Sequence, residues 1–192
     1  MESKVPVTAP RHGKHSFLRS LTIESKIAAH MAWPAIYRGI FGPCMCMQVV
    51  QGSDMQRAGI DRVISRSRRE RLRIQEKFRL SRRPYDVLIE TGHVADSGRR
   101  WPGWIDMTEA EFLFMAWIKA RYAILWDMGD FRGAWRIFGN VWTERYGVRL
   151  CQNTGYRSEN VPIPISVFCD VAEPLKVATW PSEFGLDTEV FT

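Results

Sequence analysis

A chain of 192 residues, 45% of them hydrophobic and 25% charged, has the composition of a globular protein large enough to bury its own core without disulfides or a structural metal. Its four cysteines (Cys44, Cys46, Cys151, Cys169) follow no CxxC spacing, which argues against a zinc cage, and no apolar run is long enough to span a bilayer. The net charge of +6 is modest; with no signal peptide in view, the expected compartment is the cytoplasm and no membrane partner is expected. Residues 1–19, beginning "MESKVPVTAPRHGKHS", are short of core residues and read as a flexible segment, leaving 20–192 as one domain with an extended C-terminal tail.

In chain order, "LTIESKIAAHMAW" reads as a first helix with Thr22 as N-cap, ended or kinked by Pro34. "FGPCMCMQVVQGS" is a short strand or an irregular connection. Two β-type runs follow within residues 54–80, and a third, "YDVLIE" (85–90), comes after an "SRRP" turn. The stretch "TGHVADSGRRWPGW" has the composition of a mobile loop. The pair Thr108 and Glu111, with Met107 placed to staple onto Phe112, predicts a capped helix from about residue 109. "AILWD" (123–127) reads as a buried strand and "DFRGAWRIFGNVWTERYG" as a long helix stopped at Gly147. In the tail, Pro162 and Pro164 confine "NVPIPISVFCDVAEP" to an edge strand or an extended arm. The order of elements describes an α/β sandwich around one mixed sheet.

Charge is unevenly distributed. Residues 57–83 hold eleven of the 27 Lys and Arg against Asp61, Glu70 and Glu76, so this segment carries +8 on a nearly neutral remainder. A basic patch of this kind suits an anionic partner such as nucleic acid, or a charged hairpin tip that discourages edge aggregation. Within the hairpin, side chains alternate faces: Ile60, Arg62 and Ile64 share one, Asp61 and Val63 the other, while Leu72, Ile74, Glu76 and Phe78 oppose Arg73, Gln75, Lys77 and Arg79. Matching the apolar faces sets Ile64 opposite Ile74 and Ile60 opposite Phe78. That register pairs Arg62 with Glu76 and gathers Asp61, Gln75 and Lys77 on the polar face. A half-exposed strand with assorted polar residues has the same pattern.

The stretches "GID" (59–61) and "QEK" (75–77), within "QRAGIDRVI…RLRIQEKFR…YDVLIE", resemble the core of the PD-(D/E)xK nuclease superfamily over about residues 20–130. The resemblance implies a restriction-endonuclease-like α/β/α sandwich with a mixed central sheet, and a small metal-dependent DNA endonuclease of the type found in phages and mobile elements. Gln75 departs from the usual acid, although some members carry Gln-x-Lys. It implies Mg²⁺ or Mn²⁺ as cofactor, with Asp61 as principal ligand and Gln75 as a neutral oxygen donor. Lys77 would orient or deprotonate the attacking water; otherwise it binds a phosphate or pairs with Asp61. Glu24 on the first helix matches the remaining acidic position, its other role being favourable charge near a helix N-terminus. Glu90 is a further metal candidate or an ordinary strand terminus, and Asp54 lines the site or shapes a turn.

Arg66, Arg68, Arg69 and Arg71 at the hairpin tip, Arg82 and Arg83 beyond it, and Arg99 and Arg100 in the "SGRRWPGW" loop would then hold DNA phosphates. Trp101 or Trp104 would stack on bases or anchor a satellite core. Cytoplasm of a bacterial or phage-infected cell, and a possible homodimer, follow from the same resemblance. Two other readings use the same residues differently: a noncatalytic nucleic-acid-binding or protein-interaction module that keeps the nuclease fold, and a protein that docks partners through its Trp-rich last helix. No Gly-rich phosphate loop, dinucleotide fingerprint, HExxH or GxSxG is present.

Overall fold

The computed structural model describes residues 26–27, 29–30, 32–50, 52, 54–80, 86–153 and 155–184. The expected helix cap Thr22, with Glu24, Arg82 and Arg83, lies outside them. Lys26 and Ile27 are helical as expected, but Pro34 does not end a helix. It sits in the first turn of α1 (Trp33–Phe41), where its missing N–H costs nothing and its fixed φ suits the helix.

Among the described residues, ten strands follow in two sheets. The first holds β1 (Cys46–Val49), β2 (Arg62–Ser65), β3 (Arg71–Arg79), β6 (Phe112–Trp117), β7 (Tyr122–Asp127) and β10 (Lys176–Thr179), in the order β1-β2-β3-β6-β7-β10. Only β3 and β6 run parallel, so the sheet is mixed. The second holds β4 (Asp86–Ala95), β5 (Arg100–Pro102), β8 (Arg149–Gln152) and β9 (Tyr156–Pro164), in the order β5-β4-β9-β8. Short helices α2 (Asp54–Arg57), α3 (Trp104–Met107) and α5 (Ile165–Cys169) punctuate the strands, and α4 (Met128–Tyr146) is the longest described helix. None of the described helices is long and apolar enough to cross a membrane.

The alternation of β6 and β7 sorts the core. Phe114, Ala116, Ala123 and Leu125 face α1, packing with Trp33, Ile36, Tyr37, Ile64 and Ile74. Leu113, Met115, Trp117, Ile124 and Trp126 face the other way, onto Val87, Ile89, Val161 and Ile163 of the second sheet and Phe131 and Trp142 of α4. The result is an α/β architecture in which α1 covers one face of a mixed six-stranded sheet and the second sheet with α4 covers the other.

The helix predicted from residue 109 is a strand. "FLFMAW" is apolar at nearly every position, the pattern of a strand buried on both faces, and tertiary pairing between β3 and β7 overrides the local capping signal. The two capping residues are used elsewhere: Thr108 Oγ1 donates to the Gly59 carbonyl at 3.0 Å and accepts from Ala110 N–H, while Glu111 accepts from the Arg73 N–H at 2.9 Å. "YDVLIE" leaves the hairpin's sheet and founds the second one, with the "SGRRWPGW" segment folding back on it as β5 rather than forming a free loop. The tail strand β9 lies between β4 and β8, not at an edge. Its prolines are tolerated because β8 ends opposite Asn160, so Pro162 and Pro164 fall where β9 has a ladder neighbour on one side only.

The β2–β3 register is two residues away from the expected one: Arg62 faces Ile74 and Ile64 faces Leu72. A shift of two keeps every side chain on its face, so the apolar pattern alone does not distinguish the two pairings. The turn does. Arg66 and Glu70 close it by a backbone bond of 3.1 Å and an ion pair of 2.9 Å, with Ser67 Oγ accepting from Arg69 N–H and Glu70 N–H. Ile60 does not share a face with Ile64. Gly59, at φ +71°, turns the chain before β2 and sends Ile60 into the core on the second-sheet side.

Gly103 is required by close approach. A Cβ there would lie 2.0 Å from the Glu90 carbonyl oxygen, where the start of α3 packs onto β4. Gly103→Ala is therefore expected to lower stability by about 2 kcal/mol or more, as overpacking against a rigid backbone does; chemical denaturation measures it, and an unchanged midpoint would refute this packing.

Candidate functional site

Asp61, at the entrance to β2, donates its N–H to the Ile74 carbonyl and turns its carboxylate onto β3, where Oδ2 accepts from the Glu76 N–H at 2.8 Å. The carboxylate is thereby held against the backbone that separates Gln75 from Lys77. Gln75 and Lys77 pair with Leu113 and Met115 of β6 and share their face, so the expected grouping of Asp61, Gln75 and Lys77 is formed despite the shifted register. Burial pushes the Asp61 carboxyl above its usual range; Lys77, the Glu76 N–H and Arg62 pull the other way without overcoming it.

Lys77 extends over Trp104, its Nζ 5.3 Å from the ring centroid. Gln75 is buried, and its Oε1 has no hydrogen-bond partner among the described residues, a costly state for an amide oxygen. Glu76 faces α1 instead. Its Oε1 accepts from Arg62 Nε and from Tyr37 Oη, each at 2.5 Å, in a buried network. The expected Arg62–Glu76 partnership is thus present, and Glu76 is committed to structure.

A cleft of about 260 Å³ opens beside these residues, lined among others by Asp61, Lys77, Glu90, Trp104, Met115 and Asn160. Glu90 comes from the second sheet, at a β-bulge between Glu90 and Gly92, and its Oε1 lies 3.1 Å from His93 Nε2. Bulges re-aim side chains, and this one lies beside the cleft-lining Glu90. Asn160 lines the cleft without having been singled out in the sequence, and Trp104, expected either to stack on bases or to anchor a satellite core, lines it too. The signal for Asn160 was present as a lone amide preceding the apolar run "VPIPI", but its relevance depends on the Glu90–Asn160 register, which is a long-range pairing.

The arginines divide. Arg66 is paired with Glu70, and Arg100 with Glu159. Arg68, Arg69, Arg71 and Arg99 are exposed and have no carboxylate partner among the described residues. The hairpin tip is not beside the cleft. Arg71 and Lys77 lie six positions apart on β3, a separation of about 20 Å at the strand rise. Nearer the cleft, Arg79 is paired with Asp86 at 3.2 Å. Asp54 pairs with Arg57 on the exposed α2.

Among the described residues no three His, Cys, Asp or Glu side chains gather closely enough to hold a metal ion. Comparison of the chain with protein-family models, curated proteins and solved structures gives no match.

Proposed function

We propose that this chain is a metal-dependent endonuclease that hydrolyses DNA phosphodiester bonds, on a variant of the restriction-endonuclease-like sandwich. The observation that carries the reading is the convergence of Asp61, Lys77 and Glu90, from three separate strand regions, on one cleft, with the buried, unpartnered Oε1 of Gln75 on the same face of β3 as Lys77. An oxygen-only set of Asp61, Gln75 and Glu90 suits a hard divalent cation such as Mg²⁺ or Mn²⁺, and the unpartnered amide oxygen is the donor such a set would use. When bound, the ion would supply Lewis-acid polarisation of a phosphoryl oxygen and a water of lowered pKa.

The remaining work falls to side chains. Lys77, over the Trp104 face and within electrostatic reach of Asp61, would hydrogen-bond the attacking water or the negative charge that develops on the phosphate. Arg68, Arg69 and Arg71, about 20 Å along β3, would bind phosphates some six base pairs away from the scissile bond, adding salt-dependent affinity without sequence information. DNA as partner, assembly as a homodimer that cuts both strands, and action in the cytoplasm of a bacterial or phage-infected cell complete the proposal.

The absence of a three-carboxylate group among the described residues favours a second reading, a noncatalytic DNA-binding module on the same scaffold. The deciding experiment incubates the full chain with labelled linear duplex, four-way junction, flap and single-stranded DNA, with Mg²⁺, Mn²⁺ or EDTA. Cleavage that needs the metal and falls at least about 100-fold in Lys77→Ala supports the nuclease. Binding without cleavage on every substrate supports the module.

A further inference from the structure

Asn160 lies directly across the β4–β9 ladder from Glu90, on the same wall of the cleft, and is 5% exposed. Its amide is anchored within β9. Nδ2 donates to Ser158 Oγ at 3.0 Å, and Ser158, itself 4% exposed, also accepts from Asn153 Nδ2 at 3.5 Å. With its amino group engaged, the Asn160 carbonyl oxygen has no partner among the described residues, and it is not sealed from solvent as the Gln75 oxygen is. Asn160 lines the cleft, and its Oδ1 is the open acceptor of a side chain anchored through Nδ2. An unpartnered amide oxygen on a residue nine-tenths buried is unusual, and Asn160 is the amide that lines the cleft.

We propose that Asn160 is an oxygen ligand of the divalent cation, with Ser158 as the residue that positions it, so that the wall formed by Glu90 and Asn160 supplies the coordination that Gln75 weakens by replacing an acid. This rests on reading the cleft as a metal site. The cleft-lining carboxylates of Asp61 and Glu90 with the neutral oxygen of Asn160, completed by water, form the kind of donor set that Mg²⁺ and Mn²⁺ accept. The Asn153–Ser158–Asn160 chain is the outer-shell support that such ligands characteristically have.

The test is calorimetric titration of Mn²⁺ into the full-length chain without DNA, so that the readout is affinity rather than activity. Asn160→Ala is expected to weaken binding about 10-fold or more, and Ser158→Ala, which frees the amide to rotate, by a smaller factor. Asn160→Asp keeps the shape, adds a charge and is expected to tighten binding, which separates ligation from a simple loss of fold. Wild-type affinity in both Asn160 variants overturns the role of Asn160 while leaving the metal site standing. No Mn²⁺ binding by the wild type overturns both, whereas Mn²⁺ binding without DNA cleavage overturns the nuclease alone.

Discussion

Asp61→Asn is expected to melt above the wild type at neutral pH and, on the nuclease proposal, to cleave DNA at least about 100-fold more slowly, the loss usual when a group that acts in the transition state is removed. The two effects have one cause. Burial holds the Asp61 carboxyl above its ordinary range, so the folded protein binds this proton more tightly than the unfolded chain does. The stabilising contribution is full below the unfolded value, about 4 for an aspartate, and is lost as pH rises through the folded one. At neutral pH the ionised carboxylate is therefore a net cost that the attraction of Lys77 does not offset. Asparagine keeps an oxygen to accept the Glu76 N–H and removes the charge, with an expected gain of about 1 kcal/mol, or some 2–4 °C in a chain of this length. Thermal melts across pH check the sign: the advantage should be largest at pH 7 and vanish near pH 3, where the wild-type carboxyl is protonated. A variant that melts below the wild type at pH 7 would make Asp61 a structural residue, and the argument for a strained functional carboxylate would fail.

What the sequence made legible was local and periodic. Alternation along residues 60–64 and 72–79 put Asp61, Gln75 and Lys77 on one face and Glu76 with Arg62 on the other, and the structure keeps that division. The same periodicity was blind to a register shift of two, because every face is preserved by it; only the turn chemistry of Arg66, Ser67 and Glu70 selects the pairing. The β-strand at 122–127 and the helix ended by Gly147 were readable from an apolar run and from a stop signal at positive φ. Residues 108–117 were misread because a capping box is a preference of about 1 kcal/mol, whereas a strand flanked on both sides in a buried sheet is fixed by all its neighbours at once. The second sheet was not legible, since nothing near residues 86–95 announces pairing with residues some 70 positions away. The far wall of the cleft, Glu90 with Asn160, is a product of that pairing.

Glu76→Ala is expected to be the most damaging single change discussed, lowering stability by about 3–5 kcal/mol, because it leaves the Arg62 guanidinium buried without its counter-charge. Burial pushes the Glu76 carboxyl up against the pull of Arg62 and Tyr37, and pushes the Tyr37 hydroxyl well above its ordinary value. The guanidinium lies 5.0 Å from the Tyr37 ring centroid, so one aromatic side chain of α1 contacts both members of the pair. Tyr37→Phe, which removes a single bond to a charged acceptor, is expected to cost about 1.5–3 kcal/mol. The paired change Arg62→Met with Glu76→Leu removes both charges and is expected to recover most of the loss, because desolvating an ion pair offsets much of its attraction. Urea denaturation of the wild type, Arg62→Met, Glu76→Leu and the double variant gives the coupling energy directly, and additivity of the two single changes would show that the pair does not act as a unit. The recovered double variant also isolates a functional point. The network fastens β3 to α1 at the residue whose N–H holds Asp61, yet no atom of Arg62 and only the wall at Glu76 borders the cleft. If the network serves only to pin that strand, the double variant should bind Mn²⁺ as the wild type does; weaker binding at full stability would mean that the ion pair sets the position of Asp61 rather than merely supporting the sheet beneath it.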